Sequence, residues 1–328
     1  RRRQRQMCIR DRFGACKEDA DGNKFADETK RAEAWKRYER YWTQICDRFK
    51  DYSDHLIFEG ANEELGDRLN DAIYESGYCV PKDDNDTKSI SGNLTEYERY
   101  EMANKINQKF VDIVRSTGGN NAYRHLLIAG YDTNIDKTCD DKFKMPTDTA
   151  ENGTTKLSIS VHYYTPWDFC GDGGSGIYTQ KDKEATETYF TKMDKFYNAG
   201  YGIIMGEFSV CNPKQEGVAQ WLNDTMTIAA KHHILPVLWE TNQYMDKDNC
   251  KMRYNDIAVL YNTITGSTGD TSSKINTNGT TTDGSIADYL ETTNVNNLKA
   301  GFEWTGKWYK NGGGNLVGDD IYLSLIHI

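Results

Sequence analysis

The sequence predicts an α/β protein built on a parallel sheet, and three observations predict it. Five apolar runs of strand length alternate with stretches in which apolar residues recur every three or four positions. Such alternation implies right-handed crossovers between parallel strands. Two of the runs, HLIFEGANEEL from His55 and GIIMGEFS from Gly202, share a design in which a buried strand meets a glycine and then a glutamate. The other strands also end in polar or aromatic residues, so one edge of the sheet gathers chemistry.

The elements follow in order. Trp35, Tyr38, Trp42 and Ile45 mark one face of a helix that leads into a strand over residues 56–58. Alternation along that strand puts Glu59, Ala61 and Glu63 on one side and Phe58, Gly60 and Asn62 on the other. Thr95 and Glu98 form a T-x-x-E capping box for a helix with the apolar face Met102, Ile106, Phe110 and Ile113, closing at Gly118-Gly119. Strands are expected at 125–129, 157–163, 203–205 and 234–238, and helices at 184–198, 218–230 and 256–264.

Composition narrows the function classes. The chain has 328 residues, a net charge of −10, 37% hydrophobic residues, 21 Tyr and 7 Trp, more aromatic rings than a plain core requires. Acidity argues against nucleic acid or an anionic membrane as partner, and no run of about 18 apolar residues offers a span. Eight cysteines, at positions 8, 16, 46, 79, 139, 170, 211 and 250, make no C-x-x-C pair, which disfavours zinc and redox motifs and leaves disulfides open. No metal and no cofactor is expected.

In a parallel barrel all strand ends open onto one face, where the active site sits. Read that way, the ends converge Asn62 and Glu63, then Gly130 to Asp132, then His162 and Tyr164, then Glu207, then Trp239 and Glu240. His162 and Tyr164 lie two apart and point to the same side of their strand. An indole such as Trp239 serves either as a core plug or as an exposed platform for the apolar face of a sugar, whose hydroxyls need polar partners at the ring edge. Two glutamates with a histidine, a tyrosine, an asparagine and a tryptophan suit a glycoside cleft.

The ordered set FEGANEE, SVHYYTPWDF, IIMGEFS and VLWETN resembles glycoside hydrolase family 5, and WTQICDRFKDYSDHLIFE resembles its bacterial endo-β-1,4-glucanase and xyloglucanase branch, over about residues 30 to 265. The resemblance implies a TIM (β/α)8 barrel with Glu63 as acid/base and Glu207 as nucleophile. It further implies that Asn62 holds the 2-hydroxyl, Tyr164 orients the nucleophile, His162 supports the acid/base and Trp239 floors a subsite. The implied activity is retaining, endo-acting hydrolysis of a β-1,4-linked glucan (cellulose, xyloglucan or mixed-linkage β-glucan) by a secreted or cell-surface monomer. Asn62-Glu63-Glu64 stands where the family has Asn-Glu-Pro.

Only 62 residues precede Glu63, with no apolar strand among them, so the barrel is expected to lack its first three strands. Residues 1–12 hold six arginines against nine in the remainder and read as foreign sequence, as do residues 323–328. Between these are expected a partial barrel (13–264), a Thr/Ser/Gly linker (265–285) and a segment 286–322 that reads either as the start of a β-sandwich, resembling a carbohydrate-binding module, or as a disordered tail. The competing reading is a barrel that binds polysaccharide without turnover, or an inactive fragment.

Overall fold

The computed structural model describes residues 16–18, 24–26, 28–63, 72–74, 77–79, 96–240, 243–246, 249–266, 268–269, 271–273, 275 and 277. The chain divides into two compact units, Arg1–Ile159 with Asp320–Ile328, and Ser160–Asp319. Its strands are β1 (Cys16–Glu18), β2 (Lys24–Ala26), β3 (Phe58–Glu59), β4 (Ala72–Tyr74), β5 (Gly77–Cys79), β6 (Leu126–Ala129), β7 (Leu157–Tyr163), β8 (Gly202–Phe208), β9 (Ile234–Leu238), β10 (Met245–Asp246) and β11 (Lys251–Met252). The helices are α1 (Glu28–Phe49), α2 (Glu96–Ser116), α3 (Ile135–Cys139), α4 (Trp167–Cys170), α5 (Gln180–Asn198), α6 (Val218–Lys231) and α7 (Asn255–Thr265). The main sheet has the order β3-β6-β7-β8-β9, with β3 parallel to β6 and β8 parallel to β9. This is the α/β arrangement that the alternating pattern predicts. Three antiparallel hairpins, β1-β2, β4-β5 and β10-β11, lie outside that pattern.

In the first unit, α1 buries Tyr38, Trp42 and Cys46, one residue per turn. The Trp42 ring meets Phe110 edge-on at 4.6 Å and Phe58 at 5.8 Å, contacts that each contribute about 0.5–1.5 kcal/mol beyond burial. α2 turns Tyr100, Ala103, Ile106, Phe110 and Ile113 inward, and Gly118 and Gly119, both at positive φ, end the segment. Met102, expected on that face, is only half-buried, because the buried stripe runs through Ala103 instead. All four residues of β6 are buried, as a strand covered on both sides requires.

A buried arginine fixes the chain between α1 and β3. Arg124 is wholly inaccessible, and its five N–H donors meet five acceptors: Asn121 Oδ1 and the carbonyls of Phe49, Tyr52, Ser53 and Leu56, at 2.7–3.0 Å. Its guanidinium also lies 4.6 Å from the centroid of Phe58. These carbonyls include that of the last residue of α1, which has no partner within its own helix. Arg115 makes a two-pronged ion pair with Asp148 at 2.8 and 3.0 Å, and this holds the Asp148 carboxyl below the ordinary carboxylate range despite burial.

The strand leading to Glu63 is shorter than expected and later in register. β3 begins at Phe58 and ends at Glu59, so strand alternation does not extend to Ala61, Asn62 or Glu63. Just beyond it, the Gly60 N–H donates to Leu127 O at 3.3 Å while its carbonyl accepts from the Tyr38 hydroxyl at 2.9 Å. A Cβ at Gly60 would fall 2.6 Å from the Phe110 ring, so only glycine lets the helix approach the chain here.

In the second unit, α6 places Trp221 between Tyr163 and Phe208, at 6.2 and 6.0 Å, with its indole N–H donating to Thr165 O at 3.0 Å. Tyr163 also packs on Phe190 of α5 at 4.9 Å. Pro236, which cannot donate to a ladder, sits on β9, the last strand in the sheet order. Thr95 of the expected capping box, most of the linker and all of residues 286–322 lie outside the described residues. Within 265–285, Ile275 O accepts from Asn255 N at 2.8 Å and Thr277 N donates to Asp256 Oδ2 at 3.0 Å, so this part folds back on the start of α7. Among the described residues no helix is long and apolar enough to cross a membrane.

Candidate active site

The six residues singled out in the sequence divide between the units: Asn62 and Glu63 in the first, His162, Tyr164, Glu207 and Trp239 in the second. In the second unit, alternation along β7 explains the placement. Tyr163 faces the helices, so His162 and Tyr164 face the opposite side of the sheet. There the Tyr164 hydroxyl donates to Glu207 Oε2 at 2.9 Å, and His162 Nδ1 lies 3.4 Å from the same oxygen.

Glu207 is aimed by an irregularity of the strand. Met205 pairs with Pro236 and Phe208 with Leu238, so Gly206 and Glu207 together oppose the single residue Val237. Such a bulge inserts one residue and redirects a side chain. Phe208 packs on Trp221, which leaves Glu207 on the side of His162 and Tyr164. Gly206 supplies the room, since a Cβ there would lie 3.1 Å from Ser160 Oγ and 3.6 Å from His162 Nε2. Glu207 is only 6% exposed, so its carboxylate depends on protein donors rather than on bulk water.

The neighbouring loops are tied to this strand end. Trp239 N–H donates to Phe208 O at 3.0 Å, extending the ladder past β9, and its side chain is half-buried. Glu240 Oε2 accepts from the N–H groups of Tyr244 and Met245 at 3.1 and 2.9 Å, so Glu240 braces its own loop. Trp167, 67% exposed, stands edge-on to Tyr164 at 6.5 Å. Trp167 lies within the stretch SVHYYTPWDF, whose pattern alone assigns it no role. The available signal was its place three residues after Tyr164, beyond a strand end.

In the first unit, Asn62 and Glu63 follow the pinned Gly60 and are half-buried. The Asn62 Oδ1 acceptor is buried with no hydrogen-bond partner among the described residues, an arrangement suited to a ligand hydroxyl. The arrangement allows a different chemistry for each group: Glu207, with one oxygen engaged by Tyr164, can attack an electrophilic carbon through the other, and Glu63, on a loop beside an amide, can exchange a proton.

The chain is similar to known proteins of one family. The family model described as cellulase (glycosyl hydrolase family 5) matches residues 17–245. Endoglucanase A of Paenibacillus barcinonensis is 33% identical over 231 residues, 62% of this chain and 52% of that protein. Among solved structures, the family 5 xyloglucanase of Paenibacillus pabuli has a TM-score of 0.55 at 27% identity, covering 70% of this chain and 67% of that one. A family 5 lichenase of Caldicellulosiruptor sp. F32 has a TM-score of 0.56 at 26% identity, covering 72% of this chain and 64% of that one. The chain spans about half or less of the length of the curated relatives it matches.

Proposed function

This chain belongs to glycoside hydrolase family 5, and we propose that it is a retaining, endo-acting hydrolase of β-1,4-linked glucans, secreted to meet a polymer too large to enter a cell. The family implies a (β/α)8 barrel, with which the parallel sheet of alternating strands and helices is consistent. The observation that carries the reading is the buried Glu207 carboxylate, bonded by Tyr164 at 2.9 Å with His162 at 3.4 Å from the same oxygen.

The proposed chemistry is a double displacement by two glutamates. With Oε2 engaged by Tyr164, Glu207 presents its other oxygen to the anomeric carbon and forms a glycosyl-enzyme ester as the glycosidic bond breaks. Glu63 gives its proton to the departing oxygen, then as carboxylate takes one from water, whose oxygen attacks the anomeric carbon and frees Glu207. Two displacements restore the starting configuration. Asn62 Oδ1 accepts from a sugar hydroxyl near the reacting centre, while Trp239 and the exposed Trp167 offer ring faces for neighbouring sugars. The names of the relatives, endoglucanase, xyloglucanase and lichenase, support a β-glucan as substrate.

Reducing-sugar release from carboxymethylcellulose, xyloglucan, lichenan and mannan, with NMR of the first-formed anomer, tests this. Release from at least one of the glucans with retained configuration is expected. Glu207→Gln should abolish turnover, whereas Glu63→Ala should keep activity on aryl glycosides with good leaving groups and be accelerated by azide. An inverted first product, or azide rescue of neither variant, refutes the roles.

A further inference from the structure

We propose that Cys170 and Cys211 are a disulfide-forming pair that clamps the loop after β7 to the loop after β8. Both are thiols in the structure. Cys170 ends α4, and Cys211 stands three residues beyond the end of β8. The Cys211 N–H donates to the Cys170 carbonyl at 2.8 Å. Standard peptide dimensions then hold the two Cα atoms to within about 6 Å, inside the range of about 4.4–6.8 Å that a disulfide spans.

The surroundings favour closure without backbone movement. Cys170 N–H donates to Pro166 O at 2.8 Å, Cys211 O accepts from Gln243 Nε2 at 2.9 Å, and Val210 O accepts from the Tyr244 hydroxyl at 2.6 Å. Cys170 is wholly buried and Cys211 half-buried, so only the second is reachable from solvent. Burial pushes both thiols up from their ordinary range, Cys170 further raised by its neighbour Cys211 and Cys211 by Asp172. Thiolate is therefore scarce in the folded protein, and a bridge made during folding would exchange slowly afterwards.

Formation needs an external disulfide as oxidant. The Cys211 thiolate attacks one sulfur of, for example, oxidised glutathione, releasing one thiolate and leaving a mixed disulfide. Cys170 loses its proton to solvent, and its sulfur displaces the second glutathione. Two protein thiols are oxidised by two electrons while one disulfide is reduced to two thiols. The closed loop contains α5 and β8, and with them Glu207. Removing that much freedom from the unfolded chain should raise Tm by on the order of 10 °C.

The test is to fold the chain in a glutathione redox mixture, block free thiols under denaturing conditions without reductant, digest, and map linked peptides by mass spectrometry. A peptide containing Cys170 joined to one containing Cys211 is expected, with a Tm that falls by about 10 °C on reduction. Recovery of both cysteines alkylated, or either joined to another cysteine, overturns the proposal. Cys211→Ser should remove the reductant dependence of Tm and Cys250→Ser should keep it; a reductant-sensitive Tm surviving in Cys211→Ser also overturns it.

Discussion

Replacing Tyr164 with Phe deletes one oxygen and tests whether the Tyr164–Glu207 bond does what its geometry implies. The hydroxyl donates to Glu207 Oε2 at 2.9 Å, and Glu207 is 6% exposed, so water cannot readily take the donor's place. A hydrogen bond to a charged group contributes about 1.5–3 kcal/mol. At 1.36 kcal/mol per factor of ten, kcat/KM should fall roughly 10- to 150-fold. Because His162 Nδ1 still stands 3.4 Å from the same oxygen, the loss should not be total. Stability should change little, because the Phe ring keeps the edge contact with Trp167. The assay is initial-rate kinetics across pH on a soluble β-glucan, with thermal unfolding as control. A kcat/KM within threefold of the parent would refute the assignment of Tyr164 as the group that orients Glu207.

The other predictions concern the scaffold of the first unit. Gly60→Ala forces a Cβ to within 2.6 Å of Phe110, so urea denaturation should show a loss of about 1–3 kcal/mol, and kcat should drop as the Asn62-Glu63 loop shifts. Arg124→Met removes a donor from the carbonyls of Phe49, Tyr52, Ser53 and Leu56; the first three keep Tyr52 N, Asn120 Nδ2 and Leu56 N as donors, so the penalty falls mainly on Leu56 O and the expected loss is about 1–3 kcal/mol, with only partial recovery in Arg124→Lys. His125 is buried against Ser158 at 2.6 Å, and desolvation, helped by Lys156 and Arg115, lowers it from 6.5 to about 4. Its neutral form is the one the fold accommodates, so the contribution is full above pH ~6.5 and is lost as pH falls towards 4, by on the order of 3 kcal/mol. His125→Gln should flatten the stability profile between those limits, and an unchanged slope in chemical denaturation would exclude His125 as its source.

Elements with a clear period and an unbroken apolar run were legible. β7 and β9 span the residues expected for them, and α6 differs by one residue at its end, because their burial is set by local pattern alone. The sequence also brings His162 and Tyr164 to one side of a strand, which is where both meet Glu207. What could not be read depends on partners remote in the chain. The need for glycine at position 60 comes from Phe110, fifty residues further on. Arg124 gives no pattern of its own as a core residue: a charged side chain is ordinarily solvated, and only the assembled ring of backbone carbonyls makes its burial stable. The bulge at Gly206-Glu207 is likewise invisible, since it is a mismatch of count between two strands.

That mismatch governs the chemistry of the second unit. A strand that slips by one residue sends its whole side-chain set to the other face, so Glu207 is a nucleophile candidate only while the register beyond Met205 is held. Three features hold it. Phe208 is locked against Trp221 on the helix side, Trp239 N–H bonds Phe208 O, and Pro236 opposite Met205 has no donor with which to form an alternative ladder bond. Gly206 then absorbs the extra length where a Cβ would crowd Ser160 Oγ at 3.1 Å. The position of the carboxylate is therefore set by the packing of an apolar residue next to it. Substitutions at Phe208 or Trp221, both wholly buried on the helix side of the sheet, should act on catalysis through register, lowering kcat while leaving KM nearly unchanged.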